Sequence, residues 1–452
     1  VLKNEKMFGG AIVVAPLRPA TSTWPAEAKD WLDFNHLDVV VLHGKDKDRL
    51  VKERHEIYIV NYEGLAWLIN SGHLKTLLKN KWVDTLVFDE LSKMRNASKK
   101  AIRRKLLWSY LPKFARRWGL TGSPAANGLM NLFGQVNVLD LGAAFGPYIT
   151  HYRNMFFTQI SEWDYVLKEG AADLIYARIA PLALRMELGA GVKLPEIQHN
   201  VIKIDLPPEA RKIYDQMEEE MLAVLSGDII TAATAGAVYG KCCQIATGAV
   251  FKAIVDPITG EPMAQNGKRE WYNVHDEKLD ALEELIDELQ GQQVLVAYWF
   301  QHDLEKLRKR FGAKTPYIGS GVSVKEAQRI EAAWNAGDLP YMFGHPQSMA
   351  HGLNFQKSSA HHVAWYTPTA DYELTDQFIR RLRRRGNKAK VVTSHSFVAA
   401  RTVETWGILP SLRRKEGTQG GLFSALRSYA AEAGILVPKS AQKRGRKRAC
   451  HE

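Results

Sequence analysis

The chain has 452 residues, 46% of them hydrophobic and 24% charged, a composition that suits two or three folded domains and argues against a disordered or fibrous chain. Its three cysteines, Cys242, Cys243 and Cys450, form no CxxC pair, so neither a disulfide framework nor a zinc site is indicated and a reducing, cytoplasmic setting is expected. No apolar run reaches membrane-spanning length, and the net charge of +12 points instead to a polyanionic partner.

Residues 9–25 read GGAIVVAPLRPATSTWP. Residues 11–15 predict a β-branched strand ended by Pro16, then a polar loop with Arg18, Thr21, Ser22 and Thr23 leading to Trp24-Pro25 and a helix. Strands are expected at 39–42 and 57–60, the latter running into Asn61-Tyr62-Glu63. Between them lie helical stretches, and strands alternating with helices at this spacing predict a parallel sheet covered on both faces. Residues 83–88 form a further apolar strand that stops at two carboxylates, Asp89 and Glu90. Ligands of open α/β sheets bind outside the carboxyl ends of the strands, where such a pair is presented without being buried unpaired. In isolation an Asp-Glu pair after a strand is ordinarily a solvated turn.

A basic helix is expected at 99–111, then a strand ending in Thr121-Gly122-Ser123-Pro124, whose hydroxyls suit a hydrogen bond to a neighbouring carboxylate. Residues 130–200 read as the irregular, aromatic end of the first domain and a crossing segment. Helices follow at 209–225 and around 231–246, and turn signals throughout 252–274 predict an exposed hairpin. A second α/β unit begins near His275, with strands at 294–298, 341–343, 362–365 and 390–393 and helices at 278–289, 303–311 and 375–385. The fold class is therefore α/β, organised as two units (1–200 and 275–410) joined by a helical and hairpin insert (201–274) and followed by an extension (411–452). The charge is concentrated in residues 380–390, with seven Lys and Arg, and 439–448, with six. Clusters of this kind displace counterions from a phosphate backbone.

In the order they occur, APLRPATSTWP, VNYE, VFDELSKMRN, GLTGSPAANG, VLVAYWFQHDLEKL, SMAHGLNFQ and QFIRRLRRRGN resemble the motifs of superfamily 2 helicases, in particular the Swi/Snf-like branch and its phage DEAD/DEAH-type relatives. The resemblance implies two RecA-like lobes that close on ATP. Asp89 would then hold Mg²⁺ through water, while Glu90 would orient or deprotonate the attacking water. Gln377, Arg381 and Arg384 are expected on one face of the last helix, the two arginines serving as finger candidates for the charge that develops in phosphoryl transfer. Thr121, Gly122 and Ser123 resemble the segment that couples nucleotide state to lobe position. Pro16, Arg18, Thr23, Trp24, Asn61, Tyr62, Gly352, Leu353 and Asn354 resemble elements that track a nucleic-acid strand through its phosphates. The implied partner is DNA, duplex in the Swi/Snf-like branch, with RNA an open alternative.

Three departures from the usual motifs, Ser123, His351 and Asn387, are conservative. A fourth is larger. A G-x-x-x-x-G-K-[ST] loop should precede the first strand, but Gly44-Lys45, Gly240-Lys241 and Gly267-Lys268 all lack the hydroxyl and the strand-loop-helix setting. The expectation is an N-terminal truncation that removes the first strand and the loop, so that the chain as written binds ATP poorly. The functions that follow are a nucleic-acid-dependent ATPase acting as a translocase or helicase, a catalytically silent nucleic-acid-binding module, or the helicase module of a restriction system.

Overall fold

Short β-branched runs bounded by polar turns become the strands of two fully parallel sheets in the computed structural model, which describes residues 8–32, 34–95, 106–160, 165–184, 194–226, 232–252, 269–349 and 352–416. Residues 193–414 form one compact unit and the residues before them belong to another.

In the first unit the strands β1 (Ala11–Ala15), β2 (Val39–Val41), β3 (Ile57–Asn61), β4 (Thr85–Asp89) and β5 (Arg116–Leu120) lie in the order β2-β3-β1-β4-β5. Side chains alternate across a strand. Ile12, Val14, Tyr58 and Phe88 therefore enter one core, while Val13, Ala15, Ile59 and Val87 enter another on the opposite face. Helices cover both, as all-parallel sheets require.

The segment expected to be a loop after β1 is helical. Pro19–Thr23 is a single π-helical turn that runs directly into the helix Trp24–Asp30, so Trp24 is carried on a rigid element. Of the predicted basic helix, residues 99–105 lie outside the described residues and 106–108 are helical. The basic cluster at 439–448 also lies outside them.

Residues 130–184 are more ordered than their pattern suggested. Helices Leu132–Asp140, Ile149–Phe156 and Ala171–Ile179 and the antiparallel pair β6 (Phe157–Gln159) and β7 (Tyr165–Leu167) enclose a separate core of Phe133, Phe145, Tyr152 and Phe156. These helices are eight or nine residues long, too short for the 3.6-residue period to stand out. Gly134 lets the first of them seat against the turn beyond β4, because a Cβ there would fall 2.4 Å from the Met94 carbonyl oxygen.

The second unit opens with β8 (Glu196–Ile204), inside the stretch expected to close the first domain. It pairs along its whole length with β15 (Val391–Ala399) at the edge of a six-stranded sheet. That sheet has the order β12-β13-β11-β14-β15-β8, with β11 (Val294–Ala297), β12 (Tyr317–Ile318), β13 (Tyr341–Gly344) and β14 (His362–Trp365). An edge strand is covered less than a central one, and EIQHNVIKI lacks the continuous apolar run that marks the others. Helices Pro208–Ser226 and Ala232–Thr247 and the antiparallel pair β9 (Ala249–Phe251) and β10 (Trp271–Asn273) lie between β8 and β11. The predicted hairpin is thus present at its base, while residues 253–268 lie outside the described residues. Among the described residues no helix is long and apolar enough to cross a membrane.

One buried ion pair ties the end of β15 to the helix Glu277–Glu288. Lys278 Nζ donates to both Glu404 oxygens at 2.7 and 2.8 Å, both side chains are 0% exposed, and the Ala399 N–H adds 2.7 Å to Glu404 Oε2. Burial raises the Glu404 pKa and the Lys278 charge opposes that shift. Removing one partner strands the other charge in the core. Lys278→Met is expected to cost about 3–5 kcal/mol by urea unfolding, and the double change Lys278→Met with Glu404→Leu to recover most of it.

Candidate active site

The parallel register of the first sheet sets four strand ends at one edge. Asn61 lies opposite Ala15 and Leu120 opposite Asp89. The residues immediately beyond, Tyr62, Pro16, Glu90 and Thr121, therefore share that edge.

Asp89 closes β4 and is half-buried. Trp24 Nε1 donates to its Oδ2 at 2.8 Å. Burial pushes the Asp89 carboxyl above the ordinary carboxylate range, against the lowering effect of the Trp24 bond and of the Glu90 N–H. Glu90 follows at φ 61°, ψ 61°, in the left-handed region that a residue with a Cβ rarely occupies. The Tyr62 hydroxyl donates toward two successive carbonyl oxygens, Asp89 at 2.9 Å and Glu90 at 3.1 Å, and so holds this turn from outside. The Glu90 side chain is held as well. Its Oε1 accepts from Ser92 Oγ at 2.9 Å and, at the long distance of 3.4 Å, from Thr121 Oγ1. Thr121 Oγ1 in turn accepts the Ser123 N–H at 3.3 Å. The expected bond between the 121–123 loop and a neighbouring carboxylate is therefore present, and Ser92 is an added donor that no sequence signal singled out. A carboxylate at a sheet edge with oriented donors can position a water and accept its proton.

Several residues expected to track nucleic acid have other partners. Trp24 and Tyr62 are engaged by the carboxylate turn, Pro16 is buried, and Asn61 Nδ2 donates to Glu63 at 2.9 Å. Thr23 is exposed, and Arg18 is half-buried with its carbonyl accepting from Thr21 and Ser22.

In the second unit the helix expected over 375–385 spans only Tyr372–Ile379, which corrects the single-face argument for Gln377, Arg381 and Arg384. Five arginines lie between 380 and 385, placing like charges three and four residues apart, and the backbone turns off through Arg381 N to Phe378 O and Leu382 N to Ile379 O at 3.0 and 3.1 Å. The groups converge by another route. Arg381 donates to the Leu353 carbonyl at 2.8 Å and to the Gln377 carbonyl at 3.2 Å, while Arg384 reaches the Leu353 carbonyl at 3.4 Å and the Asn354 side chain. Gln377 is buried, with Nε2 3.4 Å from Glu373 Oε1. Two motifs 25 residues apart thus form one cluster around Gly352-Leu353-Asn354, where Gly352 has φ 73°. His351 lies outside the described residues. The helix Val324–Ala336 completes it, Glu331 accepting the Asn354 N–H at 2.9 Å and Asn335 donating to the Asn354 carbonyl at 2.8 Å. Burial raises the Glu331 pKa and the two arginines counter it. Glu331 and Asn335 are invisible in the motif pattern, since their only signal is four-residue spacing on an amphipathic helix.

Comparison with known families bears on what these two clusters belong to. The SNF2-related domain matches residues 1–244, and the helicase conserved C-terminal domain matches residues 277–386. The chain belongs to the SNF2-related family. It is therefore a superfamily 2 protein of the ATP-dependent helicase and translocase class, with RecA-like α/β units. A putative protein p41 of Acyrthosiphon pisum secondary endosymbiont phage 1 is 32% identical over 383 residues, covering 82% of this chain and 77% of that protein. A putative SWI/SNF-related matrix-associated actin-dependent regulator of chromatin subfamily A member 3-like 1 of Arabidopsis thaliana is 25% identical over 209 residues, 45% of this chain and 22% of the plant protein. Among solved structures, the Sulfolobus solfataricus SWI2/SNF2 ATPase core in complex with dsDNA is 20% identical, covering 88% of this chain and 79% of that one at a TM-score of 0.36.

The raised Asp89 pKa has a definite sign for the SNF2-related chain. Folding favours the protonated carboxyl, so its contribution is fullest below the unfolded pKa and is lost as pH rises through the folded value. Without divalent cations, Asp89→Asn is expected to gain melting temperature relative to the parent between pH about 4 and pH about 7. A constant difference across that range would contradict the buried-carboxylate account.

Proposed function

We propose that the chain is the motor of a DNA translocase or helicase, in which ATP hydrolysis is coupled to movement along DNA. The observation that carries this reading is the Asp89-Glu90 turn: two carboxylates at the ligand edge of a parallel sheet, one held by Trp24 and the other by Ser92 and Thr121, in an SNF2-related chain. Glu90 is assigned to the attacking water, which it orients and from which it takes a proton. Its strained backbone, clamped by Tyr62, sets the direction of the carboxylate before substrate arrives.

Asp89 suits Mg²⁺. Its oxygens are hard ligands, and its raised pKa marks a buried carboxylate that a nearby cation would stabilise in the ionised form. The ion would neutralise charge on the β- and γ-phosphates. Arg381 and Arg384 are the phosphate-contacting cations of the second unit. Both are held in place by the Leu353 carbonyl, so their guanidinium forks are oriented in advance. Thr121, Gly122 and Ser123, bonded to the catalytic carboxylate through Thr121, are assigned the coupling role. Arg18, Thr23, Asn61 and the Gly352–Asn354 loop remain the proposed contacts to the strand, while buried Pro16 and Tyr62 shape that edge from within and Trp24 serves the carboxylate as well. The Swi/Snf-like order of motifs makes duplex DNA the first partner to test.

Hydrolysis is best measured on the chain joined to a strand, a G-x-x-x-x-G-K-[ST] loop and a helix, which together supply a phosphate cradle. There, Glu90→Gln should lower DNA-stimulated ATP hydrolysis by roughly 100-fold or more. An unchanged rate would remove Glu90 from the mechanism. Duplex DNA binding by the chain itself should weaken by roughly 10³-fold or more between about 50 mM and about 200 mM salt, as expected when six or more phosphates are neutralised. Failure to bind at low salt would exclude DNA as the partner.

A further inference from the structure

The second unit carries a cavity of about 930 Å³, apart from the cluster around Leu353. It lies at the carboxyl ends of β11, β12 and β13, the edge at which open parallel sheets hold ligands. Its walls are aromatic. The Trp299 and His345 rings stack with centroids 5.3 Å apart and planes 27° apart, and His345 Nε2 lies 3.1 Å from the Trp299 carbonyl oxygen. Burial lowers the His345 pKa, against the opposing effect of the bond to the Trp299 carbonyl. Tyr298 and Tyr317 supply two more rings.

The cavity is built rather than incidental. Buried Asp303 Oδ2 accepts the Trp299 and Phe300 N–H groups at 3.1 and 2.8 Å and the Thr367 hydroxyl at 2.7 Å, fixing the turn that presents Trp299. Gly319 packs against the Tyr298 hydroxyl, since a Cβ there would fall 2.1 Å from the tyrosine oxygen.

The charges do not suit a run of phosphates. The Arg308 guanidinium sits 5.2 Å over the Tyr317 ring and also bonds the Ala313 carbonyl, and Glu305 contributes a carboxylate that accepts from Trp271 at 2.9 Å. Lys309 is exposed at the rim, and Gln347 and Ser348 are neutral donors and acceptors on the wall. Stacking faces, amide and hydroxyl groups, and one rim cation match a nucleobase with its adjoining phosphate, whereas a bare phosphate backbone calls for several converging cations.

We propose that this cavity receives one unpaired base of a nucleic-acid strand, stacked on the Trp299–His345 pair, with Gln347 and Ser348 at its edge and Lys309 beside the adjoining phosphate. The proposal rests on the nucleic-acid reading above and adds that the chain grips a strand through a base taken out of pairing.

The test uses the whole chain at low salt with an oligonucleotide carrying one 2-aminopurine, as a single strand and in a duplex. Binding of the single strand should quench 2-aminopurine fluorescence. Trp299→Ala should weaken that binding by roughly 5- to 100-fold and abolish the quench, Trp299→Phe should retain both, and duplex affinity should stay unchanged. Gln347→Leu, at an exposed position that leaves the aromatic packing intact, should also weaken the single strand. If single strands bind but none of these variants alters affinity or quench, the base pocket is wrong while the nucleic-acid reading stands. If adenosine monophosphate abolishes the quench without displacing the strand, the occupant is a free nucleotide and the proposal falls. If neither nucleic acid binds, both readings fall together.

Discussion

The parallel hydrogen-bond register of the first sheet is the constraint on which the rest depends. Because every strand runs the same way, β1, β3, β4 and β5 end at one edge, and the polar residues that terminate them are gathered without any one strand being long. Side chains distant in the chain, from Trp24 to Thr121, meet there at hydrogen-bonding distance. A one-residue slip of β4 would exchange Phe88 for Asp89 in the core, so the same burial that stabilises the sheet also fixes where the carboxylates stand.

A strained residue stands at that edge and is held by its neighbours. Glu90 occupies a left-handed backbone conformation, and the Tyr62 hydroxyl bonds the carbonyls on either side of it. Local outliers of this kind persist only when surrounding structure over-determines them. Here the surroundings are the tyrosine just beyond β3, the serine two residues on and the threonine beyond β5, each rooted in a different element. The second unit follows the same logic with charge in place of strain. Its guanidinium groups share a single backbone carbonyl, Leu353, and its deepest ion pair, Lys278 with Glu404, is enclosed completely.

Much of this was legible in the order of motifs. The strands at 11–15, 57–61, 85–89, 294–297, 341–344 and 362–365 stand out because buried parallel strands are apolar runs bounded by turn residues. The Asp89-Glu90 pair, the 121–123 hydroxyls and the arginine cluster were visible for the same reason, being abrupt polar endings. β8 leaves no such signal because an edge strand needs no apolar run, nor does the core of Phe133, Tyr152 and Phe156, whose helices are too short to show a period. The helix carrying Gln377 ends at Ile379, short of its sequence pattern, since periodicity does not register the mutual repulsion of five arginines or a competing carbonyl acceptor.

The sequence by itself determined the fold class, the SNF2-type order of motifs and which residue types could do the chemistry, because these depend on local pattern and composition. Only the tertiary structure decided which groups touch. It bonded Trp24 and Tyr62, expected strand contacts, to the carboxylate turn, added Ser92, Glu331 and Asn335, and joined the arginines to the Leu353 loop. The reason is physical: a hydrogen bond requires atoms to meet within about 3 Å at a favourable angle, and no sequence period records distances between separate elements.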